Sequence, residues 1–322
     1  MKKLLLIIII PFLSFGQNLT YVPDDAFEEY IEAYIPGADN GLVNDNYVNT
    51  SALNAYSNNW NSLNVLIDDY ASLNLTPLYV TGITDLTGIE DFVGLCNLVI
   101  SQQLVTYIDL SETEFKLGGS LTDNLCIGGG VTVLNCPNLT DLILPEDTLK
   151  SISVSSNLYL ECVSFNNTTF GTTSQFVNYS TIEVSNNNFI NSLDLSSTNI
   201  IPGSSPEFTF NGDNLSEINL KNGDYMWLGG INIGLNVSCV QVDDVYYSQN
   251  LWSSNSSVIN DLYSTSCFNN LNCSSISILE SRFSDKYILK KIDILGRKTT
   301  NNKGFQLHIY DDGTVEKKYL IK

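Results

Sequence analysis

The sequence predicts a mainly β protein: a solenoid of short parallel strands, a helical cap before it and a small β unit after it. Three observations predict this. First, the apolar pattern L-x-x-L-x-L-x-x-N-x-L, with apolar substitutes, recurs eight times, with copies beginning at 95, 105, 139, 149, 160, 179, 190 and 215. Second, the basic step between copies is 10 or 11 residues, so one full coil holds two such half-units. Third, the net charge of −20 over 322 residues is segregated: residues 18–276 set 29 acids against Lys116, Lys150 and Lys221 alone, while residues 277–322 hold ten basic and six acidic residues. A body near −26 repels phosphate backbones and anionic lipid headgroups, which excludes nucleic acid and membrane surfaces as partners.

The elements follow in chain order. Met1–Gly16 reads as an export signal: Lys2 and Lys3 form a positive start, Leu4–Leu13 is apolar, and Ser14-Phe15-Gly16 precedes a cut before Gln17. That apolar run is half the ~20 residues a spanning helix needs, and no later segment is long and apolar enough to span. Residues 17–50 read as the cap. Pro23-Asp24-Asp25 precedes Phe27, Tyr30, Ile31 and Tyr34 at helical spacing, with acids in the first turn where the helix dipole favours them.

Residues 51–236 carry the repeat. A typical half-unit is Leu149-Ile152-Val154 with Asn157: Ile152-Ser153-Val154 makes a short strand with alternate residues inward. The Asn, Asp or Thr three residues past the strand satisfies backbone groups in the turn. Stacked coils bury the Leu, Ile and Val columns, which one coil alone leaves open. The longer steps of 19 and 25 place insertions at Gly171–Asn178 and Ile201–Asn214. Gly118–Gly130 departs from the pattern, and Gly128-Gly129-Gly130 lacks the following Lys-Ser/Thr of a phosphate loop, so it reads as a bend.

These residues resemble the leucine-rich repeat family in its nested bacterial form, whose unit contains two similar halves; the resemblance covers roughly residues 50–235. Val22–Ile31 (VPDDAFEEYI) is similar to the capping helix of such proteins, and Thr84–Phe92 to their entry motif. Cys239–Asp244 with Trp252 and Cys267 looks like a closing cap, placed at 237–276 with a linker.

Export puts the seven cysteines under oxidising conditions, and the odd count leaves at least one unpaired. Cys96, Cys136 and Cys162 lie within repeat strands and read as small buried thiols. Cys239 and Cys267 bracket the closing segment and are the expected disulfide.

Residues 277–322 change character. Lys290–Lys322 resembles the C-terminal sorting domain of the type IX secretion system, a small β-sandwich-like unit, through Gly296, Arg297, Tyr310, Asp311, Asp312, Gly313, Lys317 and Lys318. Asp311-Asp312-Gly313-Thr314 between alternating apolar runs is a hairpin turn. The resemblance implies the type IX machinery as a partner, passage across the outer membrane, removal of the tail, and release or attachment at the cell surface. A small extra β domain is the alternative.

The chemistry is sparse. His308 lies in the tail, so the body holds no Ser-His-Asp or Cys-His set, and no CxxC suggests zinc. Asp24/Asp25, Asp68/Asp69 and Asp243/Asp244 suit caps and turns, so catalysis is not expected. Asp39, Asn44 and Asp45, with Asn40, Gly41 and Asn46, form an oxygen-rich loop of the kind calcium takes, without EF-hand spacing; an Asx-rich turn is the other reading. Asp109, Ser153, Ser164, Glu183, Asp194, Glu217 and Asn219 are the expected outward-facing positions, a polar column for a hydroxyl- or amine-bearing ligand or simply a solvated face. Phe176, Phe208, Phe210 and Trp227 would stack on sugars or fill core. Asp147-Thr148-Leu149 resembles a bacterial O-glycosylation acceptor. The expected function is an exported or cell-surface protein that binds a macromolecular partner, protein or adhesion target. A polysaccharide-binding accessory role is the alternative, and an acid-pair glycan hydrolase the third.

Overall fold

The computed structural model describes residues 18–42, 44–58, 72–115, 129–171, 180–202, 204–223, 229–252 and 262–269, and three strands within 288–320. The export signal Met1–Gly16, Phe176, Trp227, and the sorting residues Gly296, Arg297, Asp311, Asp312 and Gly313 lie outside these residues. The chain forms two compact units, Met1–Asn272 and Cys273–Lys322.

The first unit is mainly β, with mostly parallel strands and few helices, in the arrangement of a repeat solenoid. Helix α1 (Asp25–Tyr34) starts where the Pro-Asp-Asp signal predicts, and Phe27, Tyr30 and Ile31 turn inward. Asp24 caps it: its carboxylate accepts from the Phe27 N–H at 3.0 Å, the Thr84 N–H at 2.8 Å and the Thr84 hydroxyl at 2.7 Å. One side chain thus closes the helix and ties it to the first turns of the repeat. An antiparallel pair, Leu19–Tyr21 with Tyr47–Asn49, and helix α2 (Thr50–Asn58) complete this end. The cap therefore extends past residue 50, because residues 50–58 lack the repeat spacing and form a helix instead.

Two stacks of strands run through the coils. One is Ser72–Leu75, Asn97–Ser101, Gly129–Leu134, Thr148–Ser155, Thr181–Ser185, Glu207–Phe210 and Gly230–Ile233, each parallel to the next. The other contains Tyr107–Asp109, Asp141–Ile143 and Cys162–Ser164, then Ser192–Asp194, Glu217–Asn219, Cys239–Gln241 and Tyr263–Ser264. Successive half-units of the sequence alternate between these stacks. Coil length is set by the register: Ile152 pairs with Val131, 21 residues earlier, and with Ile182, 30 residues later. Inward residues form unbroken apolar columns such as Leu98, Val131, Ile152, Ile182, Phe208 and Ile231, all buried. Burying one such side chain contributes about 1.5–3 kcal/mol, and only stacking achieves it.

Three expectations change. Ile201–Asn214 is not an insertion: it contains the strand Glu207–Phe210, hidden because Ser205 stands where the pattern calls for a first apolar residue. Where a bend was expected, Gly129 and Gly130 open another strand, Gly129–Leu134. A Cβ at Gly129 would lie 2.7 Å from the Phe115 Cβ, and one at Gly130 would lie 2.7 Å from Asn97 Oδ1, so glycine permits the coils to close up there. The solenoid also continues beyond residue 236, since Cys239–Gln241 and Tyr263–Ser264 extend the second stack rather than forming a separate cap.

Inside the turns run two polar ladders. After the first strand of successive coils come Gln103, Cys136, Asn157 and Asn187, all buried. Asn157 Oδ1 accepts from the Cys136 N–H at 2.9 Å, and its Nδ2 donates to the Val133 carbonyl at 3.1 Å. Asn187 repeats this: its Oδ1 accepts from the Asn157 N–H and its Nδ2 donates to the Val154 carbonyl, both at 2.9 Å. The preceding residue, Gln102, Asn135, Ser156 or Asn186, takes a left-handed φ between 53° and 59° each time. After the second strand the ladder position is threonine at Thr113, Thr168 and Thr198, interrupted by Asp147, whose carboxylate accepts from the Phe115 N–H at 2.7 Å, and replaced by Gly223 in the last copy.

The second unit presents a three-stranded antiparallel sheet, Ile288–Ile292, Gly304–Tyr310 and Val315–Leu320. Lys317 and Lys318 lie on its last strand, opposite Leu307 and Gln306, and Tyr310 ends the middle strand.

Candidate binding surface

The seven outward positions do not form one column, because half-units 10 or 11 residues apart belong to different stacks. Ser153 and Glu183 are neighbours on the first stack, where the outward row reads Val99, Thr132, Ser153, Glu183, Thr209 and Asn232. Only one member of this row is charged, Glu183. Asp109 and Ser164 lie on the second stack with Ile143 between them, and Asp194 pairs with Asn219 further along it.

Most of these groups serve the fold. Asp109 accepts from the Tyr107 hydroxyl at 3.0 Å and the Ser111 N–H at 2.9 Å. Burial and this carboxylate push the Tyr107 phenol upward. Asp194 accepts from the Ser196 N–H at 3.0 Å and from Asn219 Nδ2 at 2.9 Å, and Asn219 is itself buried. Glu183 accepts from the Ser185 hydroxyl at 2.7 Å. Glu217 holds Asn269 through its N–H at 2.9 Å and Nδ2 at 2.8 Å. The same region carries a disulfide between Cys239 and Cys267, whose Cα atoms are 5.9 Å apart.

Other candidates are corrected by burial. Phe208 and Phe210 are core residues, not stacking platforms, since alternation on their strand turns both inward. Thr148 is buried, which removes the glycosylation acceptor. Cys96 and Cys162 are disulfide-bonded rather than free thiols. Cys162 opens its strand and Cys96 immediately precedes one, whereas Cys136 occupies a ladder position inside a turn, and it is the free, buried thiol among the described residues. Burial raises its pKa.

In the candidate calcium loop, Asp39 Oδ1 accepts from the Gly41 N–H at 2.6 Å, and Asp45 accepts from Asn40 Nδ2 at 3.1 Å and the Tyr47 N–H at 3.0 Å. Asn44 is an exposed left-handed residue, with φ 52°. Asp39 and Asn44 thus build the turn. Beside it, burial and then Asp45 raise Glu28, while backbone donors at Asn46 and Tyr47 oppose them. Asp24, four residues earlier, shifts the other way: burial opposes its charge, but donors at Thr84, Phe27 and Asp85 outweigh it and hold its carboxyl low.

The surface that the sequence did not mark is the edge formed by the turns after the first stack. Leu104 is 43% exposed, Leu158 51%, Tyr159 55%, Phe189 47% and Leu235 100%. Tyr159 and Phe189, each two residues past a ladder asparagine, stack on adjacent coils with ring centroids 5.8 Å apart. Asn138 and Asn236 continue the edge, donating to the Leu104 carbonyl at 3.4 Å and the Asp213 carbonyl at 2.9 Å of the coils before them. The available signal was an aromatic recurring two residues past the ladder asparagine, at the last apolar position of the repeat pattern.

Comparison with known proteins adds little. No family model matches the chain, and no curated protein matches it. Among solved structures it is similar to the functional domain of InlJ from Listeria monocytogenes, which includes a cysteine ladder. The identity is 14% and the TM-score 0.20, with 72% of this chain and 65% of that one covered. The chain therefore spans less than two thirds of that structure, and so shallow an overlap bears on neither fold nor function. No helix among the described residues is long and apolar enough to cross a membrane.

Proposed function

We propose that this is an exported, surface-displayed protein of the leucine-rich repeat type that binds another macromolecule, a protein first, without chemistry of its own. The observation that carries the reading is the exposed apolar edge with the Tyr159–Phe189 pair at its centre. Large apolar side chains left in water on consecutive coils are the ordinary mark of an interaction surface. The repeat spacing and the resemblance of Lys290–Lys322 to a type IX sorting domain support export and display. A photo-crosslinking residue at position 159 or 189 tests the surface: it is expected to capture a discrete partner on cells, while the same group at Ser153 captures none. Equal capture from both faces would remove the assignment. Cell fractionation with mass spectrometry of the mature termini tests export, and an intact Lys322 terminus on a periplasmic species would contradict it.

The same exposed rings favour a second reading, polysaccharide binding, since aromatic faces accept sugar rings. Glycan-array silence that persists in both wild type and Tyr159→Ser would exclude it.

A further inference from the structure

The cap carries a hollow of about 330 Å³ between α1 and the turn at 76–81, and it shares no residue with the apolar edge of the coils. Glu29, Tyr30, Ala33 and Tyr34 wall one side; spaced three and four residues apart, they share a helix face. Pro77, Leu78 and Tyr79 wall the other side. Three phenol rings meet there: those of Tyr30 and Tyr34 have centroids 5.1 Å apart, and Tyr79 stands edge-to-face with Tyr34 at 5.6 Å. Both walls are fixed. The Tyr30 hydroxyl accepts from the Asn74 N–H at 3.1 Å, and the Thr76 carbonyl accepts from the N–H groups of Tyr79 and Val80, each at 2.9 Å. The Val80 carbonyl in turn accepts from buried Gln103 at 3.0 Å. Tyr34 and Tyr79 are nonetheless 49% and 45% exposed, and Leu78 79%, so apolar faces stand in water around the hollow. The charge of this segment is all acidic: Glu29 lines the hollow, and the sequence holds no Lys, Arg or His from Leu4 to Phe115.

We propose that this hollow receives a lysine side chain of a protein partner, its ammonium held among the tyrosine rings and beside the Glu29 carboxylate. The face of an aromatic ring is the negative part of its quadrupole, and it attracts a cation lying within about 6 Å of the centroid. Rings tilted at 37° and 83° to one another wall the site from different directions instead of closing it as a stack. Lysine suits both parts of the lining, since its methylene stem can lie along Pro77, Leu78 and Ala33 while its head stays charged and partly wet. The volume is at the small end for ligand pockets, with room for one side chain rather than a folded segment. Acidic ligands are repelled by Glu29 and by the net charge near −26 of residues 18–276, and a neutral sugar gains nothing from that field. The inference takes from the proposed function only that the partner is a protein; crosslinking at 159 or 189 tests the edge, and the hollow is tested separately.

The test follows the ring signals of isotope-labelled tyrosine in the full chain by NMR, during titration with Nα-acetyl-lysine methylamide. The norleucine analogue, which keeps the stem and loses the charge, is titrated beside it. Wild type is expected to bind the lysine probe saturably, with a dissociation constant of roughly 1–10 mM, and the norleucine probe at least about fivefold more weakly. Tyr34→Leu and Tyr79→Leu are each expected to weaken lysine binding about three- to fivefold, whereas Tyr79→Phe, which keeps the ring, binds like wild type. Glu29→Gln is expected to weaken it about threefold at low salt, a difference that fades at high ionic strength. Tyr246→Leu, at a 78% exposed ring on the helix Val245–Leu251, leaves binding unchanged. No saturable shift in wild type overturns the proposal, as does equal affinity for the two probes, which marks an apolar slot. Leucine variants that titrate like wild type also overturn it, as does Tyr79→Phe behaving like Tyr79→Leu. If a leucine variant fails to fold, Glu29→Gln, on the exposed side of the helix, decides: unchanged binding at low salt overturns the proposal.

Discussion

The two turn ladders of the solenoid do similar work by different means. The amide ladder stitches coil to coil: Asn157 bonds the Val133 carbonyl and the Cys136 N–H behind it, and Asn187 does the same to Asn157 and Val154. Gln103 reaches three elements at once, the Ile83 N–H and the carbonyls of Leu75 and Val80. On the second edge the threonines mostly close their own turn, while Asp147 reaches across coils: Thr198 donates to the Leu195 carbonyl at 2.7 Å, Thr168 to Phe165 with one reach back to Pro145 at 2.9 Å, and Asp147 accepts from the Phe115 N–H at 2.7 Å. A side-chain amide offers a donor and an acceptor on a longer arm, whereas a hydroxyl near the backbone finds the nearest carbonyl. Cohesion between coils therefore resides unequally in the two edges.

The sharpest way to break this contrast is Asn157→Ala. It leaves a buried N–H and a buried carbonyl without partners on the preceding coil, and is expected to cost about 3–4 kcal/mol in chemical denaturation. Next comes Asp24→Ala, which does to the cap what Asn157→Ala does to the coils. Loss of a helix cap that also holds Thr84 is expected to cost about 2–3 kcal/mol at neutral pH. The folded carboxyl of Asp24 lies below its unfolded value, so its stabilisation is complete above the unfolded value and fades as pH falls through the folded one. The wild-type advantage over Asp24→Asn should accordingly shrink in acid, and a gap independent of pH would show that charge plays no part. Thr198→Val is expected to cost only about 1 kcal/mol, since it removes one local bond and keeps the shape. Smallest is Cys136→Asn, which restores the amide to the one ladder site where a thiol makes only long contacts, at 3.7 and 3.9 Å. A gain within about 1 kcal/mol is expected, and a loss larger than that would mean the turn is shaped around sulfur.

Much of the fold was legible because stacked coils demand apolar columns, and columns leave a period in the sequence. The 10- or 11-residue step, the buried turn residues and the capping helix all follow from that demand. What was not legible had lost the marker rather than the structure. Gly128 and Ser205 replace the first apolar residue of two half-units, so their strands at Gly129–Leu134 and Glu207–Phe210 read as a bend and an insertion. The candidate surface was harder. Outward positions are constrained only by what they must not do, so Glu183 and Asp194 looked alike in sequence although they sit on different stacks. Tyr159 and Phe189 were visible as residues, but only the parallel register brings them together. The buried face of Glu28 required the loop to fold back over the helix, which no local pattern records.

The bond between Cys239 and Cys267 has a mechanical meaning. Tension applied to the chain after residue 267 passes directly to Cys239, on a strand already paired with Glu217–Asn219. The 27 residues in between, including the two-residue Tyr263–Ser264 strand, carry none of that load. A molecule pulled by its C-terminal end thus resists peeling where a stack of coils is ordinarily easiest to unravel.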